Sequence, residues 1–289
     1  MTDTALVSVE WLDEHLSSVV LLDTSIRRGS VGELPFSNGR EGFERGHIPG
    51  ARFADMFTEL SDPTAVARFM RPSESQFVSV ARALGIDDDA HVVVYDSLNG
   101  AWAARAWWVL RSFGLSSVQV LDGGLSAWRA AGLPVGTGPG VDAPASGALT
   151  VIDRSDLVVG IDDVLELVGA QTDSGRPLVC GLRAEEFRGD PDDPQSGHIP
   201  GSLNLPYADT LDEAGRVSRT RTRRLAAELG LSTRRAPVLY CGGAVNAAGV
   251  ALALHQIGID DVGVYDGSLS EWRLDPRRPL QQTPKEDGR

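Results

Sequence analysis

The residue best placed for chemistry is Cys241. It follows the apolar run Pro237-Val238-Leu239-Tyr240 and precedes the small-residue stretch Gly242-Gly243-Ala244-Val245-Asn246. Val238 to Tyr240 is too short for a helix and suits a buried strand. A helix follows, with Asn246 as its expected cap and Val250, Leu252 and Leu254 as apolar positions. Cys241 is therefore predicted at the carboxyl end of a strand, facing a helix N-terminus. Backbone N–H groups there lack intrahelical acceptors and carry partial positive charge. A thiol so placed ionises more readily and becomes a usable nucleophile. Glycines let the backbone curl closely around the sulfur. The N–H groups of Gly242, Gly243, Ala244, Val245 and Asn246 would form a cradle for a thiolate or a bulkier anionic sulfur species. The competing reading is a small buried apolar residue.

Other reactive residues carry weaker signals. Cys180 also ends an apolar run, Pro177-Leu178-Val179. It reads as a buried space-filler, or as a partner that resolves a persulfide or closes a disulfide; strand-end placement alone does not establish disulfide geometry. His47 and His198 each lie in a His-Ile-Pro-Gly turn. They could act as bases, but such turns favour a histidine that hydrogen-bonds the backbone. His15, His91 and His255 show no metal-ligand spacing. Arg216, Arg219, Arg221, Arg223 and Arg224 form one basic cluster, read as a solvated face.

The elements that position these residues repeat. Val19 to Asp23, His91 to Asp96 and Val118 to Asp122 read as strands; Glu10 to Leu16 (capped by Ser8), Ser73 to Leu84, Ala103 to Phe113 and Leu125 to Ala131 read as helices. Arg27 to Glu44 reads as loop, with at most a short helix near Arg40 to Glu44. Strands alternating with helices imply a parallel α/β sheet. In the second half Gly197-His198-Ile199-Pro200-Gly201 repeats Gly46 to Gly50, and Val264-Tyr265-Asp266-Gly267-Ser268-Leu269-Ser270-Glu271-Trp272 repeats Val120 to Trp128. The offset is 151 residues at His47/His198, 145 at Tyr95/Tyr240 and 144 at Trp128/Trp272. The expectation is two tandem copies of one α/β domain. Residues 136–149 are rich in Gly, Pro, Ala and Ser. The expected division is residues 1–138, a linker at 139–150, and residues 151–289. Asp96 stands where the second copy has Cys241, so only the second copy can use a thiol.

Composition limits the functional classes. The 289 residues contain two cysteines, which argues against a disulfide scaffold and fits a reducing compartment, the cytoplasm. A net charge of −13 disfavours nucleic acid and anionic membrane as partners. No segment reads as a membrane span, and Met1 to Leu6 lacks the basic and apolar regions of a signal peptide.

The pattern resembles the two-domain rhodanese family, the thiosulfate and 3-mercaptopyruvate sulfurtransferases. The resemblance is carried by Leu6 to Leu12, both His-Ile-Pro-Gly motifs, Ala104-Arg105-Ala106-Trp107-Trp108, Leu121-Asp122-Gly123-Gly124 and Tyr240-Cys241-Gly242. It implies a rhodanese-like α/β fold in two tandem domains, each a parallel sheet flanked by helices. The first domain is then a degenerate copy lacking the cysteine. The resemblance further implies that Cys241 takes a sulfane sulfur from a small donor as a persulfide. It would pass that sulfur to a thiol, to cyanide or to a protein acceptor. No metal and no organic cofactor is implied. A related phosphatase cradle needs an arginine where this chain has Ala247.

The sequence departs from the family at three places. Cys180 and Leu182 replace an expected Asp and Arg. Glu185-Glu186 precede Phe187 where an arginine is expected, leaving Arg183 and Arg188 as the substrate-binding candidates. Ala244 replaces a usual glycine and would obstruct the loop if that position needs positive φ. The alternative function is a weakly active or non-catalytic partner-binding or redox-regulatory protein.

Overall fold

The structure, a computed structural model, describes residues 4–29, 35–142, 147–170, 175–260 and 262–283. The chain forms two compact units. The first comprises residues 1–65, 71–154 and 213–217; the second comprises 66–70, 155–212 and 218–289. Each unit therefore includes a short segment from the opposite half of the sequence.

The first unit contains strands β1 (Leu6–Val7), β2 (Val20–Asp23), β3 (Ile26–Arg28), β4 (Phe36–Asn38), β5 (Arg52–Phe53), β6 (Val92–Tyr95) and β7 (Val118–Leu121). Its helices are α1 (Val9–His15), α2 (Arg40–Arg45), α3 (Glu74–Ala83), α4 (Ala101–Ser112) and α5 (Gly124–Ala130). Five strands form a parallel sheet in the order β1-β7-β6-β2-β5. All four residues of β6 are buried, as a parallel sheet covered on both faces requires. Ser8 and Ser73 cap α1 and α3 by accepting the N–H groups of Trp11 and Gln76. Leu12, Phe43, Ile48, Val93, Tyr95 and Trp128 belong to the core.

The second unit contains β8 (Val158–Val159), β9 (Leu178–Cys180), β10 (Leu203–Asn204), β11 (Val238–Tyr240) and β12 (Gly263–Tyr265), with helices α6 (Ile161–Ala170), α7 (Ala184–Arg188), α8 (Arg219–Glu228), α9 (Val245–His255) and α10 (Ser268–Trp272). Its parallel sheet runs β8-β12-β11-β9-β10, the same order strand for strand as the first. The expected tandem α/β architecture is present.

The same small devices hold both units. Tyr95 Oη accepts the N–H of Ile48 at 3.1 Å, and Tyr240 Oη accepts the N–H of Ile199 at 3.0 Å. Trp128 Nε1 donates to the Pro134 carbonyl, and Trp272 Nε1 to the Pro279 carbonyl. Each strand-end tyrosine thus fixes its His-Ile-Pro-Gly turn, and each tryptophan fixes the chain after its last helix.

Two stretches differ in detail from expectation. Within 27–44, β3 and β4 pair as an antiparallel hairpin, Ile26 opposite Asn38. That pairing depends on partners across residues 30–34, which lie outside the described residues, so local composition reads only as loop. In the stretch expected as linker, Gly136 bridges His47, Gly138 N–H donates to the Glu44 carbonyl, and the Ala148 carbonyl accepts the Asp88 N–H. These residues run along the first unit; positions 143–146 of the expected linker lie outside the described residues.

Candidate active site

Cys241 follows β11, and α9 begins at Val245, so three residues separate the thiol from the helix. The loop closes tightly because Ala244 adopts the left-handed conformation, φ +59°, at the N-cap position. The position does need positive φ, and alanine accepts it at a cost of about 1–2 kcal/mol. Asn246 does not cap the helix as expected. It lies inside the first turn, where a residue contributes its own N–H rather than closing over those of others.

A single oxygen ties the loop together. Ser268 Oγ accepts the N–H of Cys241 at 3.2 Å and that of Ala244 at 3.1 Å, and donates to the Tyr265 carbonyl at 2.9 Å. Ser270 Oγ and N–H both donate to the Gly242 carbonyl. Ser268 is fully buried and also left-handed, φ +51°. On another side, a Cβ placed on Gly243 would lie 3.1 Å from Phe69 Cδ2, and Phe69 has φ +67°. Among the described residues, Phe69, Ala244 and Ser268 are the three non-glycine residues with left-handed backbone. All three surround the Cys241 loop, and strain of this kind concentrates at functional sites.

The loop leaves donors available. Among the described residues, the N–H groups of Gly242, Gly243, Val245, Asn246 and Ala247 donate to no backbone carbonyl. Cys241 itself is 3 % exposed, whereas Gly242 and Gly243 are half-buried. The arrangement is an anion receptor with a thiol at its base.

The first unit has the same loop with its receptor filled. Asp96 follows β6 at the place of Cys241. Its carboxylate accepts the N–H groups of Leu98 (2.8 Å), Gly100 (3.0 Å), Trp102 (3.1 Å) and Ala103 (3.0 Å). Gly100 caps α4 with φ +80°, as Ala244 caps α9. Four residues separate Asp96 from α4 but three separate Cys241 from α9, and this one-residue difference accounts for the change of offset from 145 to 144. At the 144 offset Ser268 corresponds to Gly124, φ +55°, where a Cβ would meet the Asp96 carbonyl at 2.3 Å.

Cys180 pairs in register with Tyr240, as Asp23 pairs with Tyr95. It is fully buried among core side chains. Burial first, with the neighbouring Cys241 adding to it, pushes its thiol up to about 12 against the opposing effect of the Leu182 backbone. A neutral thiol results, and neither cysteine is in a disulfide. His198 Nδ1 bonds the Phe187 carbonyl at 2.7 Å while its ring stacks on Phe187 at 3.7 Å. His47 does the same with Phe43, at 2.9 Å and 4.0 Å. These contacts fix turns. Burial lowers the His198 pKa, and the Phe187 carbonyl opposes that shift.

Arg183 is exposed at the start of α7, where Glu186 Oε2 accepts its N–H at 3.2 Å. The Glu186 carboxylate is thus engaged as a local helix cap. Arg183 follows Gly181 and Leu182, and a Cβ on Gly181 would lie 3.3 Å from the Asn246 backbone. Arg188 closes the other end of α7, where its carbonyl accepts the Thr283 N–H at 3.0 Å. Among the described residues no group of three or more His, Cys, Asp or Glu is arranged to hold a metal. No helix among them is long and apolar enough to cross a membrane.

The rhodanese-like domain model matches residues 8–131 and 182–275. The chain belongs to the rhodanese family. A Mycobacterium tuberculosis rhodanese relative, provisionally named a thiosulfate sulfurtransferase (SseB), is 39% identical over 249 residues, covering 84% of this chain and 86% of the relative. The 3-mercaptopyruvate sulfurtransferase of Escherichia coli is 33% identical over 285 residues, covering 97% and 99%. The crystal structure of the 3-mercaptopyruvate sulfurtransferase SseA from Escherichia coli superposes with a TM-score of 0.79 at 31% identity, covering 92% of this chain and 99% of that one. The relatives' names thus include thiosulfate and 3-mercaptopyruvate.

Ser268 and the segment 66–70 were not evident as site residues in the sequence. The one available signal for Ser268 was the change from Asp122-Gly123-Gly124 to Asp266-Gly267-Ser268 in otherwise matching motifs. No local signal marks 66–70.

Proposed function

We propose that this rhodanese-family chain is a sulfurtransferase in which Cys241 of the second unit is the sulfur carrier and the first unit is a copy without a carrier. The observation that carries the reading is the pairing of Asp96 with Cys241. One loop binds a carboxylate through four N–H groups; its counterpart carries a thiol in that place, among N–H groups that donate to no backbone carbonyl. The thiolate attacks the transferable sulfur of the donor, the outer sulfur of thiosulfate or the thiol sulfur of 3-mercaptopyruvate. With thiosulfate, the S–S bond breaks, sulfite leaves with the bonding pair, and Cys241 keeps one sulfur as a persulfide anion. With 3-mercaptopyruvate, the C–S bond breaks, its bonding pair leaves with carbon as the pyruvate enolate, the thiol proton ends on that carbon, and Cys241 keeps the sulfur as the same persulfide anion. The N–H groups of Gly242, Gly243, Val245 and Asn246 stabilise the outer sulfur, and that of Ala244 holds the loop through Ser268. Attack by cyanide or a thiol on the outer sulfur returns the Cys241 thiolate. A protein thiol is a further acceptor class, and two cysteines outside any disulfide suit a reducing compartment such as the cytoplasm.

Intact mass after incubation with each donor tests the reading. The expected result is a gain of one sulfur that cyanide removes and that Cys241→Ser lacks. Folded, reduced protein that gains no sulfur from either donor would overturn it.

A further inference from the structure

In the second unit Cys180 ends β9 and Cys241 follows β11, at the carboxyl ends of parallel strands. The amino ends of those strands therefore face away from the thiol. A cavity of about 520 Å³ opens there, where Leu178 begins β9 and Leu203 begins β10. Its walls are apolar: Leu167 and Val168 of α6, Pro177, Leu178, Pro200 and Leu203. Its charged lining is Arg176 and Arg235, and among the described residues no carboxylate lines it. Arg176 is held in place, because its Nε donates to the Ala236 carbonyl at 3.1 Å and its Nη2 to the Pro237 carbonyl at 3.2 Å. A Cβ on Gly263 would lie 3.0 Å from that Nη2, so the guanidinium lies against bare backbone at the start of β12. Arg235 is exposed.

The first unit is built differently at the same corner. His15 and Leu167 are the seventh residues of α1 and α6, and Arg52 and Leu203 are 151 residues apart, as His47 and His198 are. In the first unit the His15 ring stacks on Trp11 at 4.2 Å, and Arg52 Nη1 donates to the Leu84 carbonyl at 2.9 Å. The second unit has leucine at both places, and both leucines are cavity wall. The exchange runs the other way at the rim. Counting back from the register of Asp23 with Tyr95 and of Cys180 with Tyr240, Arg176 and Arg235 stand where the first unit has Val19 and Ala90. Walls have become apolar and the rim cationic.

We infer that this cavity is a second ligand site, separate from Cys241, for a small amphipathic monocarboxylate whose apolar body lies against Leu167 and Leu203 and whose carboxylate meets Arg235. Cavities of this size hold small molecules, and a few polar groups on an apolar lining set the orientation. A planar guanidinium meets a carboxylate through paired N–H donors, and Arg176 adds positive field from its fixed position. In a chain of net charge −13, two arginines on an apolar cavity draw an anion to it.

The test is a binding measurement that needs no turnover. Octanoate and, as its uncharged counterpart, octanamide are titrated calorimetrically into the full chain and into its Cys241→Ser, Arg235→Ala and Leu203→Trp variants. The parent should bind octanoate saturably with one site per chain, and octanamide about ten-fold or more weaker. Cys241→Ser should bind octanoate as the parent does. Arg235→Ala, at an exposed position, should weaken octanoate about five- to ten-fold and leave octanamide unchanged. Leu203→Trp fills the cavity without changing its charge and should weaken both probes. No saturable binding of octanoate by the parent, equal affinity for the two probes, or unchanged octanoate affinity in Arg235→Ala or in Leu203→Trp overturns the inference. Loss of octanoate binding in Cys241→Ser also overturns it, by placing the probe at the thiol loop.

Discussion

Ser268 Oγ lies 3.2 Å from the amide nitrogen of Cys241 and does for the second loop part of what Asp96 does for the first. Both supply an acceptor to the loop's N-cap amide, but Asp96 does so from within the loop and Ser268 from the β12–α10 corner. The division of labour lets residue 241 be a cysteine, because the acceptor for the N-cap amide comes from elsewhere.

Removing that oxygen should cost stability. Ser268→Ala leaves two buried N–H groups without an acceptor and should destabilise the protein by about 2–4 kcal/mol. Ser268→Gly loses the same hydrogen bonds but relieves the left-handed backbone, and should recover about 1 kcal/mol of that loss. Urea denaturation of the two variants gives both values. A Ser268→Ala protein as stable as the parent would mean that the loop holds its shape without the hydroxyl.

Ala244 is a separate test of the loop's backbone. Ala244→Gly gains about 1–2 kcal/mol from relief of positive φ. It loses a buried methyl group, about 0.8 kcal/mol, and a similar amount through the freer unfolded chain. The net change should lie within about 1 kcal/mol of zero. Ala244→Val puts a β-branched side chain in the left-handed region at a fully buried position and should cost about 3 kcal/mol or more. Comparison of thermal midpoints distinguishes them; equal midpoints for Gly and Val would contradict the conformation described.

The filled loop predicts a penalty of its own. Asp96→Asn keeps the size of the side chain but turns an amide NH₂ toward backbone N–H groups that the carboxylate now accepts. The loss should be about 2–4 kcal/mol, measured by denaturation, with the Cys241 thiol still present and reactive. A neutral effect would show that the four short contacts contribute little.

Cys180 sets an alkaline limit. Its thiol is pushed up to about 12 in the folded protein, against an ordinary value of 9.0. Below pH 9 both folded and unfolded forms carry the proton, and the folded state keeps the full benefit. Between pH 9 and about 12 the unfolded thiol ionises and the folded one does not, so stability falls as pH rises, by up to about 1.4 kcal/mol per pH unit. Cys180→Val should remove that part of the slope, which a series of denaturation curves from pH 8 to 11 would reveal. The same neutrality predicts that iodoacetamide labels Cys241 well before Cys180 in the folded chain, readable by peptide mass mapping.

Much of this architecture was legible because duplication writes each device twice. The two His-Ile-Pro-Gly turns, the strand-end tyrosines and the Asp-Gly corners announced the tandem sheets, and Val238 to Tyr240 emerged as a strand at the expected bounds. Local rules failed where the deciding partner is distant. Asn246 has the chemistry of a cap, but the loop closes at Ala244 because Ser268, from beyond α9, holds it there. The β3–β4 hairpin needs a pairing that composition does not reveal. Residues 66–70 lie more than 170 residues before Gly243 in the sequence, and nothing near them indicates that they fold against the second loop.

The self-filled loop of the first unit also fixes a valency. Asp96 is tethered to the receptor it occupies, so any dissolved anion must displace a competitor held at a high effective concentration. Doubling the domain has therefore not doubled the capacity. Labile sulfur should saturate at one atom per 30.8 kDa chain, however much donor is supplied.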